Sequence, residues 1–175
     1  MAPLEDWLTL YLTPGLGPTG CKNLIDHFGS PASVLKASRQ TLMTAPGRPN
    51  KKACEAIGRQ DSRDAANQEL ARTAKAGISL LCWDDDDFPD RLLNIPDPPI
   101  LLYVKGSTSA LSNPGVSIVG SRAASTYGLK MAETLAKQLA CQGLTVISGL
   151  ALGIGMLVDN SIVVLESILD RKSVV

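Results

Sequence analysis

The chain lacks a net charge: 17 Lys and Arg stand against 17 Asp and Glu. This excludes a protein that holds nucleic acid or an anionic membrane by its overall field, so any such contact must be a local patch. It also lacks paired cysteines. Cys21, Cys54, Cys82 and Cys141 form no C-x-x-C pair, and His27 is the only histidine. A structural zinc site is excluded on spacing, and no metal is expected. The opening MAPLEDWLTLYL carries Glu5 and Asp6 where a secretory leader carries Lys or Arg, and no small-residue cleavage site follows. The expectation is a cytoplasmic chain with reduced thiols. A disordered composition is missing too, since 45% of the 175 residues are apolar, enough to bury one ordinary core or two small ones.

What is present changes character along the chain. Residues 4–76 alternate short helical patterns with Pro and Gly, predicting a helical domain of about five short helices. Leu4, Trp7, Leu8, Leu10, Tyr11 and Leu12 make a first amphipathic helix closed by Thr13-Pro14-Gly15. Pro18 opens a second, with Cys21, Leu24, Ile25 and Phe28 at helical spacing and Gly29 as its stop. Ser30-Pro31 opens a third, and residues 53–58 and 64–76 two more. From Gly77 the period shortens. ISLLCW and ILLYV read as strands joined by a Pro-rich connector, and VSIV, LKMAETLAKQLACQG and LTVIS read as strand, helix and strand. That βαβ order implies a parallel sheet with a right-handed crossover. The predicted class is α/β: a small helical domain over 1–76, the start of a Rossmann-like domain over 77–154, and an apolar helix and tail over 155–175.

Three loops could carry chemistry. In VSIVGSRAASTYG a buried strand ends at Gly120 and a helix over 129–142 points its free N–H groups back at the loop, where its dipole and unpaired donors attract a phosphate. Arg122 adds a bidentate fork and Ser121 a hydroxyl. The G-x-G-x-x-G dinucleotide spacing is absent, because the next glycine after Gly120 is Gly128. The second loop, SGLALGI, also follows a strand and should face the same crevice. The third, TPGLGPTGCKNLIDHFG, resembles a helix-hairpin-helix in which Gly15, Gly17 and Lys22 could touch a DNA phosphate; glycines needed only for packing a helical hairpin are the competing reading. Asp84–Asp87 reads as a solvated acidic turn, since consecutive extended residues alternate sides.

In this order, DDDDFPDRLLNIPDPPILLYVKG, VSIVGSRAASTYG and SGLALGI behind a helical domain resemble the DprA/Smf family over about residues 4–154. The resemblance implies a sterile-alpha-motif-like or helix-hairpin-helix domain followed by an extended Rossmann-like domain. It also implies single-stranded-DNA binding, delivery of that strand to the RecA recombinase in natural transformation, homodimerisation, and neither catalysis nor a cofactor. Gly120, Ser121 and Arg122 match the family's phosphate-contacting G-S-R motif, and Gly149, Leu150 and Ala151 its second glycine loop.

After Ile154 the pattern departs: Gly155 stands where the family has an Asp, and no Ala-His pair follows. Residues 150–168 instead resemble a transmembrane segment of resistance-nodulation-division transporters, and DRKSVV a translated sequencing adapter. The expectation is a chimeric reading frame, with a real fusion as the alternative, and with the family's dimer surface missing. Gly143–Val158 holds 16 residues without a charge, short of the ~20 that span a bilayer, and Asp159 interrupts an extension. The competing functions are a nucleotide-binding Rossmann enzyme and a membrane-associated fragment without transport activity. The enzyme reading lacks an acidic ribose-binding residue, since the second strand of the βαβ unit ends in Ser148-Gly149.

Overall fold

The structure, a computed structural model, describes residues 2–47, 49–96, 98–121 and 123–148. The apolar helix expected over 155–175 and the Asp159 environment lie outside the described residues. The chain forms two compact units, Met1–Leu102 and Tyr103–Val175.

The first unit opens with six helices: α1 (Leu4–Tyr11), α2 (Pro18–Phe28), α3 (Pro31–Lys36), α4 (Arg39–Thr44), α5 (Lys51–Arg59) and α6 (Arg63–Ala76). Each boundary has a local cause. Pro18 and Pro31 sit where a missing N–H costs nothing. The side chains of Ser30, Ser38 and Asn50 accept from the amides of Ser33, Thr41 and Ala53 at 3.1, 3.2 and 2.7 Å. Gly29 ends α2 in the left-handed region, as expected of that stop (φ +82°). The sixth helix is α4, which the sequence reading omitted; only Leu42 of its residues is buried, so it shows no apolar period.

The core gathers one face from each helix: Trp7, Leu8 and Leu10 from α1, Leu24 from α2, Val34 from α3, Leu42 from α4 and Ile57 from α5, all nearly solvent-free. Burial of each such side chain stabilises by about 1.5–3 kcal/mol. Closure comes from α6 against α1. Arg63 donates to Glu5 at 3.1 Å and to Asp6 at 2.9 Å, and Ser62 Oγ donates to the Leu12 carbonyl at 3.2 Å.

The period change at Gly77 marks the start of β1 (Ile78–Cys82), which packs on α6 and α1 and so belongs to the first compact unit. Trp83 meets Trp7 edge-on, with 6.0 Å between ring centroids, and donates its indole N–H to the Pro99 carbonyl at 2.8 Å. The Pro-rich connector that follows β1 contains a one-turn helix, α7 (Asp90–Leu93). Strand β2 (Leu101–Lys105) pairs with β1.

The second unit contains a 3-10 turn (Thr108–Leu111), β3 (Gly115–Ile118), α8 (Thr126–Cys141) and β4 (Thr145–Ser148). β3 and β4 are adjacent and parallel, with Gly115 opposite Thr145 and Ile118 opposite Ser148, as the βαβ reading requires. Thr145 holds the amino end of β4 in place, its amide donating to the Pro114 carbonyl at 2.9 Å and its hydroxyl to the Ala110 carbonyl at 2.8 Å. Two expectations need correction. α8 begins at Thr126 rather than Leu129, because Ser125 Oγ accepts from the Gly128 amide at 3.2 Å and caps the helix three residues early. β3 is not a buried strand: Val116 is exposed on it and Val119 just beyond it, since β4 is its only strand neighbour among the described residues. No helix among the described residues is long and apolar enough to cross a membrane.

Candidate functional site

The parallel register places the last residues of β3 and β4, Ile118 and Ser148, side by side. The loop carrying Gly120 and the segment after Ser148 therefore leave the sheet from the same edge, the carboxyl edge at which open α/β sheets bind ligands. Of the predicted residues, Gly120 and Ser121 lie in this loop, immediately past the strand and exposed. Arg122, Gly149, Leu150 and Ala151 lie outside the described residues.

Gly120 is not required by packing among the described residues. Its φ is not positive, and a Cβ built there meets nothing within 4 Å. Ser121 Oγ accepts from the Ala123 amide at 3.2 Å, which tightens the turn. α8 follows after Ser125. Its cap satisfies the Gly128 amide, whereas the amides of Thr126 and Tyr127 have no acceptor among the described residues. Those two donors and the positive end of the helix dipole together favour an anionic oxygen at this edge.

Tyr127 was missed from the sequence. It stands in the first turn of α8 and is 73% exposed, whereas an aromatic in an amphipathic helix is ordinarily read as core. The available signal was the cap: once Ser125 is taken as N-cap, Tyr127 falls at the second helical position, beside the loop.

The helical hairpin is differently built. Gly15 has φ +81°, and its Cβ position lies 2.8 Å from Asn50 Nδ2, so this glycine is needed for both conformation and space. Asn50 donates to the Gly15 carbonyl at 3.0 Å while capping α5. The Leu16 amide is given to the Thr13 carbonyl at 3.2 Å. Gly17 is the N-cap residue of α2 in extended conformation. Lys22 is paired with Asp26 at 2.6 Å and lies 5.8 Å from the Trp83 ring centroid.

The acidic run is a turn rather than a cation cage. Asp85 accepts from the Cys82 amide at 2.6 Å, Asp84 accepts from the Ala2 amide at 3.0 Å, and no His, Cys, Asp or Glu group suited to a metal occurs among the described residues. Burial, aided by Asp85 and Asp84, pushes the Cys82 thiol far up, so it is no nucleophile. Cys54 is raised for the same main reason.

A helical domain followed by a parallel βαβ unit, with an exposed glycine loop and a Ser125-capped helix start at the sheet's carboxyl edge, defines a Rossmann-like protein that lacks the G-x-G-x-x-G dinucleotide spacing. The family model for DNA recombination-mediator protein A matches residues 79–164. Protein Smf of Synechocystis is 32% identical over 152 residues, covering 85% of this chain and 38% of that protein. The DNA processing protein DprA of Streptococcus pneumoniae is 44% identical over 70 residues, 40% of this chain and 24% of that one. The X-ray structure of DNA processing protein A (DprA) from Streptococcus pneumoniae shares the fold, with a TM-score of 0.66 at 24% identity over 89% of this chain and 52% of that one. The chain belongs to the DprA/Smf family. It spans less than two fifths of the length of the curated relatives it matches.

Proposed function

We propose that this protein binds single-stranded DNA by its phosphate backbone at the carboxyl edge of β3 and β4 and acts as a recombination mediator. It passes the strand to the RecA recombinase in natural transformation and performs no catalysis of its own. One observation carries the reading: past β3 lies a glycine with open space at its Cβ position, followed by a helix whose first amides have no acceptor among the described residues. A backbone that presents donors without a wall around them suits an extended polyanion better than a nucleotide held in a closed pocket. In this reading Gly120 and Ser121 let a phosphate approach, Arg122 grips it with a charged fork, and Gly149, Leu150 and Ala151 supply the facing loop. Tyr127 offers a ring on which a base can stack. Gly15, Gly17 and Lys22 serve the packing of the helical hairpin and contribute little to DNA.

The test is a salt-dependent titration with oligo-dT, with NAD and ATP as comparators. Oligo-dT should bind and the nucleotides should not. Arg122→Ala should lose roughly 1.5–3 kcal/mol, the range for a hydrogen bond to a charged group. It should also lower the salt slope by about 0.7, one phosphate's share on a single strand. Saturable NAD or ATP binding with no affinity for oligo-dT would replace this reading with the nucleotide-enzyme one. Unchanged oligo-dT affinity in Arg122→Ala, with binding abolished in Lys22→Ala, would move the site into the helical unit.

A further inference from the structure

Charge in the helical unit is strongly segregated. Residues 30–60 hold Lys36, Arg39, Arg48, Lys51, Lys52 and Arg59 against Glu55, and Asp61, which follows directly, pairs with Arg59 at 3.3 Å. At the helical advance of about 100° per residue, Lys51, Lys52, Glu55, Gly58 and Arg59 share one face of α5. The opposite face, Ala53, Cys54, Ala56 and Ile57, is buried. α4 runs alongside, and its Arg39 reaches Glu55 at 3.0 Å. Between them lies an open groove of about 450 Å³ lined by Arg39, Cys54, Glu55, Gly58 and Arg59.

Two features distinguish this groove from an ordinary solvated helix face. Lys51 and Lys52, on the same α5 face beyond the groove lining, are exposed and make no ion pair among the described residues, whereas Arg39 and Arg59 in the lining are paired with Glu55 and Asp61. Gly58 is the second. Glycine inside a helix is destabilising relative to alanine, yet a Cβ at Gly58 would meet nothing within 4 Å and its φ is not positive. Nothing in the described fold calls for glycine there. What it does is leave bare backbone on the groove wall, between Glu55 and Arg59, where an approaching chain can come close.

We infer that the α4–α5 face is a second backbone contact for single-stranded DNA, separate from the loop after β3 and from the Gly15–Lys22 hairpin. The inference rests on the single-stranded-DNA reading above and adds a surface to it. Exposed, unpaired cations beside an open groove suit a linear polyanion, and no wall encloses a small ligand.

The experiment uses the full chain and fluorescent oligo-dT across a salt series, with variants Lys51→Glu/Lys52→Glu and, as a control of equal charge change, Arg72→Glu/Lys75→Glu on α6. All four side chains are exposed, and melting curves check that the variants fold. The α5 pair should weaken binding roughly tenfold at moderate salt and lower the salt slope by about 1.4, two phosphates' share. The α6 pair should change the slope by less than half as much. Gly58→Ala should raise thermal stability yet weaken binding several-fold, a split that a purely structural role could not give. Equal effects of the two reversed pairs would overturn the inference while leaving the parent's DNA binding intact. No binding by the parent chain would overturn both. A chain that dimerises in sedimentation, and whose dimer the α5 pair splits without touching oligo-dT affinity, would assign the face to the Asp84–Asp90 run of a second copy and likewise overturn it.

Discussion

Asn50 offers a sharp test of whether the hairpin glycines serve packing or DNA. One side chain performs two tasks 35 residues apart: its Oδ1 accepts from the Ala53 amide at 2.7 Å to cap α5, and its Nδ2 donates to the Gly15 carbonyl at 3.0 Å. Asn50→Ala removes both. An N-cap is worth roughly 0.5–2 kcal/mol and a neutral hydrogen bond about 0.5–1.5 kcal/mol. The Gly15 bond is exposed, so its lower end applies, and the expected loss is about 1–2.5 kcal/mol. For a folding unit of this size, that lowers Tm by roughly 4–20 °C. Asn50→Asp keeps a good cap but cannot donate, and should lose only about 0.5 kcal/mol. Gly15→Ala must force a side chain into φ +81° against Asn50, and should destabilise less when Asn50 is already alanine. Urea melts followed by tryptophan fluorescence give all four corners of that cycle. If Asn50→Ala changes stability by less than 0.5 kcal/mol, or if Gly15→Ala leaves stability alone and instead abolishes oligo-dT binding, the packing assignment of this hairpin is refuted.

Four further outcomes follow from other groups. Tyr127→Ala should lose about 1–3 kcal/mol of oligo-dT affinity by fluorescence anisotropy, while Tyr127→Phe should retain it; equal losses would show that the ring is not a stacking platform. Arg63→Met should destabilise by about 1–2 kcal/mol, with a coupling to Asp6→Asn of about 0.5–1.5 kcal/mol, because it removes the guanidinium that neutralises the buried Asp6; additive effects would refute the link. At pH 8 a thiol reagent should label Cys141 fast and Cys21, Cys54 and Cys82 only on unfolding, by mass spectrometry. Since burial raises the Cys82 thiol above its usual 9.0, its contribution to stability is present below that value and falls as pH climbs past it, a fall that Cys82→Ala should flatten.

The features legible in the sequence were those whose cause is local. α2 could be bounded because Pro18 and Gly29 sit at its two ends, and the parallel pair because VSIV and LTVIS flank one helix-length pattern. α4 is not legible from periodicity, because its single buried residue sets no period; its local signal is the Ser38 cap on the Thr41 amide. The start of α8 was displaced for the same reason. At the candidate site, the position of Gly120 at a strand end could be read directly. That no described residue packs against its Cβ position could not, since such packing belongs to the fold and not to the residue. The Asn50–Gly15 link and the α4–α5 groove join segments far apart in the chain, and no window of sequence contains them.

The Arg63 clamp on Glu5 and Asp6 also sets an order of events during synthesis. α1 emerges before α2 and α3, which cover part of it, but its α6 partner Arg63 lies 57 residues downstream of Asp6. At ~5–20 residues per second that delay is roughly 3–11 seconds, during which Trp7, Leu8 and Leu10 have no α6 to rest against. The nascent protein thus shows an apolar strip for seconds before it can fold, and a chaperone that meets the emerging chain would find its natural target there.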